Sequence, residues 1–489
     1  MLLGFIDNMK GFKTIDCGLI PVRELEQALC GVDEEFVMLR RRDGRVELGP
    51  YSCRRILSIA HDTGADMLYS DYHEVLSRVE RNSIIKGIHS LIPCQMGALR
   101  DDFDFGPVVV VRTSFCKKVL AEIPSYKYGA FYALRLAADK VQYIPEPLYT
   151  YYEVADVHSE ASDALNKAED GHSMAADTHH EAINTHPKAT DKGRNESQFD
   201  YVDPRNREVQ AEMEEICTAY LKRVGAYIAG GRVLPLPPAF QTPVTASVVI
   251  PVYNRARTVG DAVRSALSQE CDFHFNVIVV DNHSDDGTSE VLATFSDPRL
   301  KVIVPEDVGL GIGGCWNLAI NTPDCGLYAV QLDSDDIYSD CNTLAKIVSA
   351  FKSGNYGMVV GSYTLTDFDL NPIPPGLIDH KEWTDANGRN NALRINGLGA
   401  PRAFYVPLLR QIGFPDVSYG EDYAVALRIS RDYRIGRIYE SLYFCRRWTG
   451  NSDASLSVSK ANAHNTYKDF VRTCELQARL NINKAMETK

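Results

Sequence analysis

Apolar residues along the first 152 positions fall in short runs separated by polar stretches. The runs at 36–39, 67–69 and 108–112 predict short strands, and 114–120 spaces its apolar residues like a helix. From 153 to 200 large apolar groups almost vanish and Ala, Asp, Glu, Ser, Thr and His take over, which reads as a polar linker. His172, His179, His180 and His186 fall in it, and solvated histidines are a plainer reading than a metal tract. Helical spacing returns from Asp203. Pro204 sits at its first turn, Val209, Met213, Ile216, Cys217 and Tyr220 recur at helical intervals, and the run reaches about Ala229. Gly230, Gly231, Pro235, Pro237 and Pro238 then predict a stiff connector up to 244.

A denser pattern begins near Thr245. Positions 247–251 and 276–280 are β-branched runs that predict buried strands. Between them, 258–269 forms an amphipathic helix with Val259, Ala262, Val263, Ala266 and Leu267 on one face. A helix at 288–295, a strand at 301–304, a helix at 315–321 and a strand at 327–332 follow, and a helical tail occupies 457–489. Strands alternating with helices predict a parallel, helix-covered α/β sheet, in which ligands sit beyond the carboxyl ends of the strands. Positions 251–255, Asp281 and 333–335 all fall at such ends.

The strand at 327–332 runs into Asp333, Ser334, Asp335 and Asp336. Carboxylates crowded at the tip of a buried strand repel one another and resist desolvation. A divalent cation relieves both costs, and oxygen ligands on a strand-end loop suit Mg²⁺ or Mn²⁺ shared with a substrate's phosphates. The alternative is an acidic turn capping the next helix. Asp336 is the member a metal site does not need, and is expected to be such a cap.

Length and charge narrow the classes. At 489 residues the chain is expected to hold two or three domains. A formal net charge of −13 argues against a nucleic-acid binder. The 12 cysteines show no paired zinc spacing and read as reduced thiols of a cytoplasmic protein. No apolar run approaches the length of a membrane span and the first residues do not form a signal peptide, so any membrane contact is expected to be peripheral, at the inner face.

The chain also repeats itself. Tyr128-Gly129-Ala130-Phe131-Tyr132, then Ala133-Leu134-Arg135-Leu136 and Glu146-Pro147-Leu148-Tyr149, is echoed by Tyr419-Gly420-Glu421-Asp422-Tyr423, Ala426-Leu427-Arg428-Ile429 and Glu440-Ser441-Leu442-Tyr443. The carboxylates Glu421 and Asp422 become Ala130 and Phe131, and Arg40, Arg41 and Arg42 stand near the place of the acidic cluster. This suggests one active domain at 245–456 and one degenerate domain at 1–152, with the linker at 153–202 and a helix and connector at 203–244 between them.

Residues 246–454 resemble a family 2 glycosyltransferase of the GT-A fold. Positions 247–255 resemble the opening strand and nucleotide loop, with Pro251, Tyr253, Asn254 and Arg255 on the donor side. Positions 280–288 resemble the second signature, whose first aspartate, Asp281, is implied to meet the nucleobase. Gly311 and Asn317 match a Gly…Ala-Arg-Asn element, and Asp333-Ser334-Asp335 matches the DxD metal motif. Glu421-Asp422 matches the catalytic-base pair, and Arg447-Trp448 the closing Arg-Trp element. The resemblance implies an α/β mixed sheet flanked by helices, with a smaller degenerate α/β domain before it. It also implies an inverting transfer from a UDP- or GDP-linked sugar to a saccharide or lipid-linked acceptor. Asp335 and Asp333 would hold Mn²⁺ or Mg²⁺, with Asp333 and Ser334 also at the donor. Asp422 is the candidate base, with Glu421 orienting it, and Arg255 and Arg447 are candidate phosphate contacts.

Two positions depart from the family pattern: Trp316 stands where arginine is usual and Cys315 where alanine is. His380, Trp383 and Asn391, between metal motif and base, are candidate acceptor contacts together with Trp448. Gly309-Leu310-Gly311-Ile312-Gly313-Gly314 imitates a dinucleotide fingerprint, but Pro305, Glu306 and Asp307 lie between it and its strand and lengthen a turn that should be tight. A nucleotidyltransferase, or a non-catalytic scaffold binding sugar or nucleotide, is the alternative reading.

Overall fold

The computed structural model describes residues 12–16, 20–41, 44–77, 84–154, 206–230, 233–381, 383–448, 451 and 456–488. Arg42, His172, His179, His180, His186, Asp203, Pro204 and Gly231 lie outside the described residues. The chain divides into two units, one of 1–93 with 104–200 and one of 94–103 with 201–489. The ten residues 94–103 therefore belong to the second unit, where the first-half boundary at 152 had not placed them. Among the described residues no helix is long and apolar enough to cross a membrane.

The first unit has strands β1 (Phe12–Asp16), β2 (Phe36–Arg40), β3 (Gly44–Leu48), β4 (Met67–Ser77), β5 (Ile84–His89), β6 (Val108–Arg112) and β7 (Val141–Val154). They form one sheet in the order β1-β2-β6-β4-β7-β3, with β5 pairing β4. The expected strand at 67–69 is the first part of a much longer one. Polar Asp71, Tyr72 and Glu74 hide its continuation from a hydrophobicity reading, although all three are buried.

The second unit has β8 (Ala246–Val252), β9 (Phe275–Asp281), β10 (Leu300–Ile303), β11 (Tyr328–Gln331), β12 (Ile337–Tyr338), β13 (Met358–Thr366), β14 (Pro372–Ile378), β15 (Arg402–Tyr405) and β16 (Ile435–Arg446). Their order is β10-β9-β8-β11-β15-β13-β16-β12, with β14 pairing β13. The first four run parallel, as the alternation predicted. β15 is antiparallel to both its neighbours, so the sheet is mixed. Strand direction leaves no mark on a run buried on both faces, which is why the local pattern did not disclose it.

Removing β9 and β10 makes the two sheets coincide. Strands β8, β11, β12, β13, β14, β15 and β16 then occupy, in chain order, the places of β1 to β7, with the same neighbours. The directions agree as well: β1 is parallel to β2 and β8 to β11, and β4 is parallel to β7 and β13 to β16. The register is shared too. Met67 pairs with Val111 and Val141, as Met358 pairs with Phe404 and Ile435. Tyr72 faces Tyr149, as Tyr363 faces Tyr443.

The connector and tail are built into the second unit. The helix Arg207–Val224 stops at Gly225, whose left-handed φ of 78° ends it five residues before the expected limit. The Leu234 amide donates to the Asp432 carbonyl and Tyr405 to the Pro237 carbonyl, so the proline-rich stretch is seated. The tail forms the helix Val458–Glu487. It buries Asp469, Arg472, Glu475 and Arg479 as mutually paired charges, with Arg472 also donating to the Tyr423 hydroxyl.

Candidate active site

At the end of β8 the chain turns at Asn254, held at a φ of 52°. Two loops are zipped together there. Asn254 Nδ2 donates to Asp285 Oδ1 (2.8 Å) and the Asp285 amide returns a bond to Asn254 Oδ1 (2.9 Å). The Arg255 amide donates to Thr288 Oγ1 and that of Ala256 to Asp286 Oδ2. Asp281, buried at the end of β9, accepts from the Ser284 amide and the Ser289 hydroxyl, so its carboxylate braces the second loop. Pro251 is the penultimate residue of β8, and Tyr253 is exposed just beyond the strand.

β11 ends at Gln331, two residues before the acidic cluster. Gln331 Nε2 lies 2.9 Å from each oxygen of Asp333, and the Asp333 amide donates to the Tyr443 hydroxyl at 3.0 Å. Ser334 is buried. Asp335 Oδ2 accepts from Asn451 Nδ2 at 3.2 Å and lies 3.9 Å from Arg255 Nε. Burial and the neighbouring charge of Asp333 raise the Asp335 pKa above the usual carboxylate value. Arg446 closes the turn from below: its Nε donates to the Asp335 carbonyl (2.6 Å), its amide to Asp336 Oδ1 (2.7 Å) and its Nη1 to Asp261 Oδ2 (3.0 Å).

Asp336 does not cap a helix. The next residues form β12, and the following helix starts at Thr343 behind Asn342. Asp336 instead ties the cluster to β16, fully buried, with burial first and the charges of Asp335 and Asp333 second pushing its pKa well up. Among the described residues no group of three or more His, Cys, Asp or Glu side chains is placed to hold a metal alone. Two carboxylates two positions apart, with Asp335 largely buried and in the field of Asp333, match the donor set of a Mg²⁺ or Mn²⁺ that completes its shell from a substrate and water.

Opposite, the helix Glu421–Asp432 opens behind Gly420 at a φ of 80°. Asp422 Oδ2 pairs with Arg402 Nη1 at 2.6 Å. Burial works against the Asp422 charge, but Arg402 and then Lys468 outweigh it and hold the carboxyl below its ordinary value. Among the described residues Glu421 has no such partner and its Oε2 no hydrogen bond; it is buried, and burial together with the Asp422 charge lifts its pKa to about 8. Arg402 also lies in the field of Asp333, and its amide donates to Gln331 Oε1 at 3.1 Å.

The glycine run 309–314 is explained by packing. A Cβ on Gly313 would lie 1.8 Å from the Pro415 carbonyl, and one on Gly311 2.5 Å from the Val417 backbone. The Gly311 amide bonds Asp416, and both ends of the Asn317 amide bond the Phe414 backbone. This helix is thereby clamped to the loop leading to Glu421 and Asp422. Trp316 fills the same seam, stacking on Phe414 and meeting Phe404 edge-on.

Three acceptor candidates are corrected. His380, Trp383 and Asn391 are only 2%, 6% and 2% exposed and serve as interior packing. Polar and aromatic residues in an irregular stretch look like surface until the helices that cover them are known. Trp448 lies beside Phe368 (5.6 Å) with Arg257 over its ring, and the Arg447 amide bonds the Thr366 carbonyl. Gln331, Arg402, Arg446, Tyr443 and Asn451 were not anticipated. Arg402 carried a signal, a cation inside the short run Ala403-Phe404-Tyr405 that follows it.

Residues 247–405 match the family model described as Glycosyl transferase family 2. Over 215 residues the chain is 28% identical to the UDP-Glc:alpha-D-GlcNAc-diphosphoundecaprenol beta-1,3-glucosyltransferase WfgD of Escherichia coli, covering 44% of this chain and 80% of the relative. Over 100 residues it is 38% identical to the succinoglycan biosynthesis protein ExoO of Rhizobium meliloti (strain 1021), covering 20% of this chain and 28% of the relative. Among solved structures, S. aureus TarS 1-349 in complex with UDP-GlcNAc is similar at 19% identity and a TM-score of 0.39, over 48% of this chain and 70% of that one. The family match and the relatives' names support a glycosyltransferase. Residues 247–405, within the second unit, are thus similar to glycosyltransferase family 2.

Proposed function

We propose that the second unit transfers a sugar from a nucleoside-diphospho-sugar to a hydroxyl of a saccharide or lipid-linked glycan, in one inverting displacement. The observation that carries this reading is Arg402, which pairs with Asp422 and lies in the field of Asp333, joining a donor-side and an acceptor-side carboxylate in one site. Asp335 and Asp333 are the residues that would hold Mn²⁺ or Mg²⁺, which when bound neutralises charge gathering on the leaving diphosphate. Arg255 stands beside Asp335 and adds protein charge on the same side. Pro251, Tyr253, Asn254 and Asp281 form the braced edge that receives the nucleotide. In the transfer, the acceptor oxygen bonds the anomeric carbon as the bond to the diphosphate oxygen breaks, and the hydroxyl proton passes to Asp422. General-base help of this kind is worth ~10²–10⁴-fold.

The relative whose name specifies UDP-Glc and a lipid-diphosphate-linked GlcNAc supports a UDP-linked donor and a lipid-linked acceptor here. Such a reaction draws on cytosolic nucleotide sugar, and the described cysteines, all free thiols, agree with that compartment. The first unit is read as a degenerate copy without transfer chemistry. At the places of Glu421 and Asp422 it has Ala130 and Phe131, each pair opening its helix.

A thermal-shift screen of nucleotide sugars with and without Mn²⁺ names the donor, because a ligand of the folded state raises its stability. Transfer assays of Asp422→Asn and Asp335→Ala then test the roles. Near-wild-type transfer by either variant would overturn them, and release of nucleoside diphosphate from no donor would favour the scaffold reading.

A further inference from the structure

We propose that Gln331 and Arg402 are positioning residues that lock the donor-side carboxylate Asp333 and the base Asp422 into one register. This inference rests on the glycosyl-transfer reading of the site. Gln331 is the last residue of β11 and Arg402 the first of β15. Each uses side chain and backbone for different partners. The Gln331 amide nitrogen lies 2.9 Å from both oxygens of Asp333, while its oxygen accepts the Arg402 backbone amide at 3.1 Å. The Arg402 guanidinium contacts Asp422 at 2.6 Å and is fixed by donation to the Gly399 carbonyl at 3.1 Å. The Gln331 carbonyl is itself held by the Tyr338 hydroxyl at 2.9 Å. The path from Asp333 to Asp422 thus runs through two side chains and one peptide group, all on adjacent strands of a sheet.

The first unit supplies the control. Val37 pairs with Val111, and Ala329 pairs with Phe404, at corresponding places of the two ladders. Counting two residues along each strand brings Leu39 and Val109, themselves a pair, to the positions of Gln331 and Arg402. Counting four brings Arg41 to the position of Asp333. With Phe131 in place of Asp422, all four members of the path are replaced together in a sheet that keeps its strand order. The sheet therefore does not need the amide or the guanidinium to form. Their presence beside the carboxylates serves the site.

Gln331→Leu and Arg402→Lys separate the two halves of the path. Mn²⁺ binding in the presence of nucleoside diphosphate is read by electron paramagnetic resonance of the free ion, and donor KM and kcat by transfer assay. Gln331→Leu is expected to weaken Mn²⁺ binding by roughly 10–100-fold, the usual effect of removing a group that orients a metal ligand. Arg402→Lys is expected to leave Mn²⁺ binding and donor KM within about twofold and to lower kcat on the order of 10²-fold, since a displaced base loses reaction geometry. If Gln331→Leu does not fold, Gln331→Met, closer in length, replaces it with the same expectation. Unchanged Mn²⁺ binding in the Gln331 variant, or an unchanged kcat in Arg402→Lys, overturns the inference. Asp422→Asn and Asp335→Ala, measured alongside, separate the two failures: if these are inactive while the positioning variants are normal, the inference falls and the transfer reading stands.

Discussion

Glu421 offers the sharpest physical test of the site. It is a buried carboxyl with no hydrogen bond to Oε2, and it stands beside an ionised Asp422. Burial and that neighbour raise its pKa from 4.5 to about 8. An unfolded chain releases the proton near the ordinary value while the folded one keeps it. Stability therefore falls as pH rises through the window between 4.5 and about 8, and levels off above it. At about 1.4 kcal/mol per pH unit, wild type should lose roughly 3 kcal/mol between about pH 5.5 and 8.5 through this group alone. Glu421→Gln keeps the shape and has no proton to lose, and Asp422 remains in both proteins, so the difference between the two curves isolates Glu421. Trp316, Trp383 and Trp448 are the chain's only tryptophans and all lie in the second unit, so urea unfolding followed by tryptophan emission, with a chelator present, reports that unit. The variant should gain on wild type steadily as pH rises. A stability difference that stays constant across the window would refute the reasoning.

Three further outcomes follow from the same geometry. His89 in the first unit lies between Glu74 (3.5 Å) and Asp104 (3.4 Å); burial opposes its charge, but the two carboxylates prevail and raise its pKa to about 9. Its contribution is full below the ordinary histidine pKa and is lost as pH rises through about 9, so amide exchange in β4 and β5 should accelerate over that range by an amount equivalent to about 3 kcal/mol, and His89→Gln should flatten the trend. Trp316→Arg, which restores the residue usual in the family, should destabilise the second unit by at least about 3 kcal/mol in denaturant titration, because it removes two ring contacts and buries a charge. Gly313→Ala should cost about 1–3 kcal/mol in the same titration, since its Cβ would meet the Pro415 carbonyl and force the loop before Glu421 away.

The parts legible in the sequence are those with local causes. β8 and β9 announce themselves as β-branched runs, and the carboxyl-end placement of Asp281 and Asp333 follows from strand-helix alternation alone. What stayed hidden depends on distant partners. Asp469, Arg472, Glu475 and Arg479 have the composition of a solvated helix face, yet they are buried because each finds an opposite charge one turn away or on another element. Residues 94–103 look continuous with the first unit, but Gly97 approaches the 469–473 backbone so closely that a Cβ would lie 2.2 Å from the Thr473 amide nitrogen. Asp336 resembles a cap because its target, the Arg446 amide, is 110 positions away.

The two sheets also bear on why the second one tolerates so many buried charges. Burial raises the pKa of Asp335, Asp336 and Glu421, so each resists being ionised where it stands. A fold under pressure for stability alone sheds such groups, because apolar replacements of similar volume are often neutral or stabilising. The first unit shows this for the Glu421 position within the same chain: Ala130, followed by Phe131 at the place of Asp422, opens the corresponding helix beside a sheet of the same strand order. The charged set is thus not a requirement of the topology. It accompanies β9 and β10, which extend the sheet and add the loop that bonds Asn254. On the proposed transfer reading, charges that cost stability, and that accompany β9 and β10, are accounted for by a divalent cation brought with the donor.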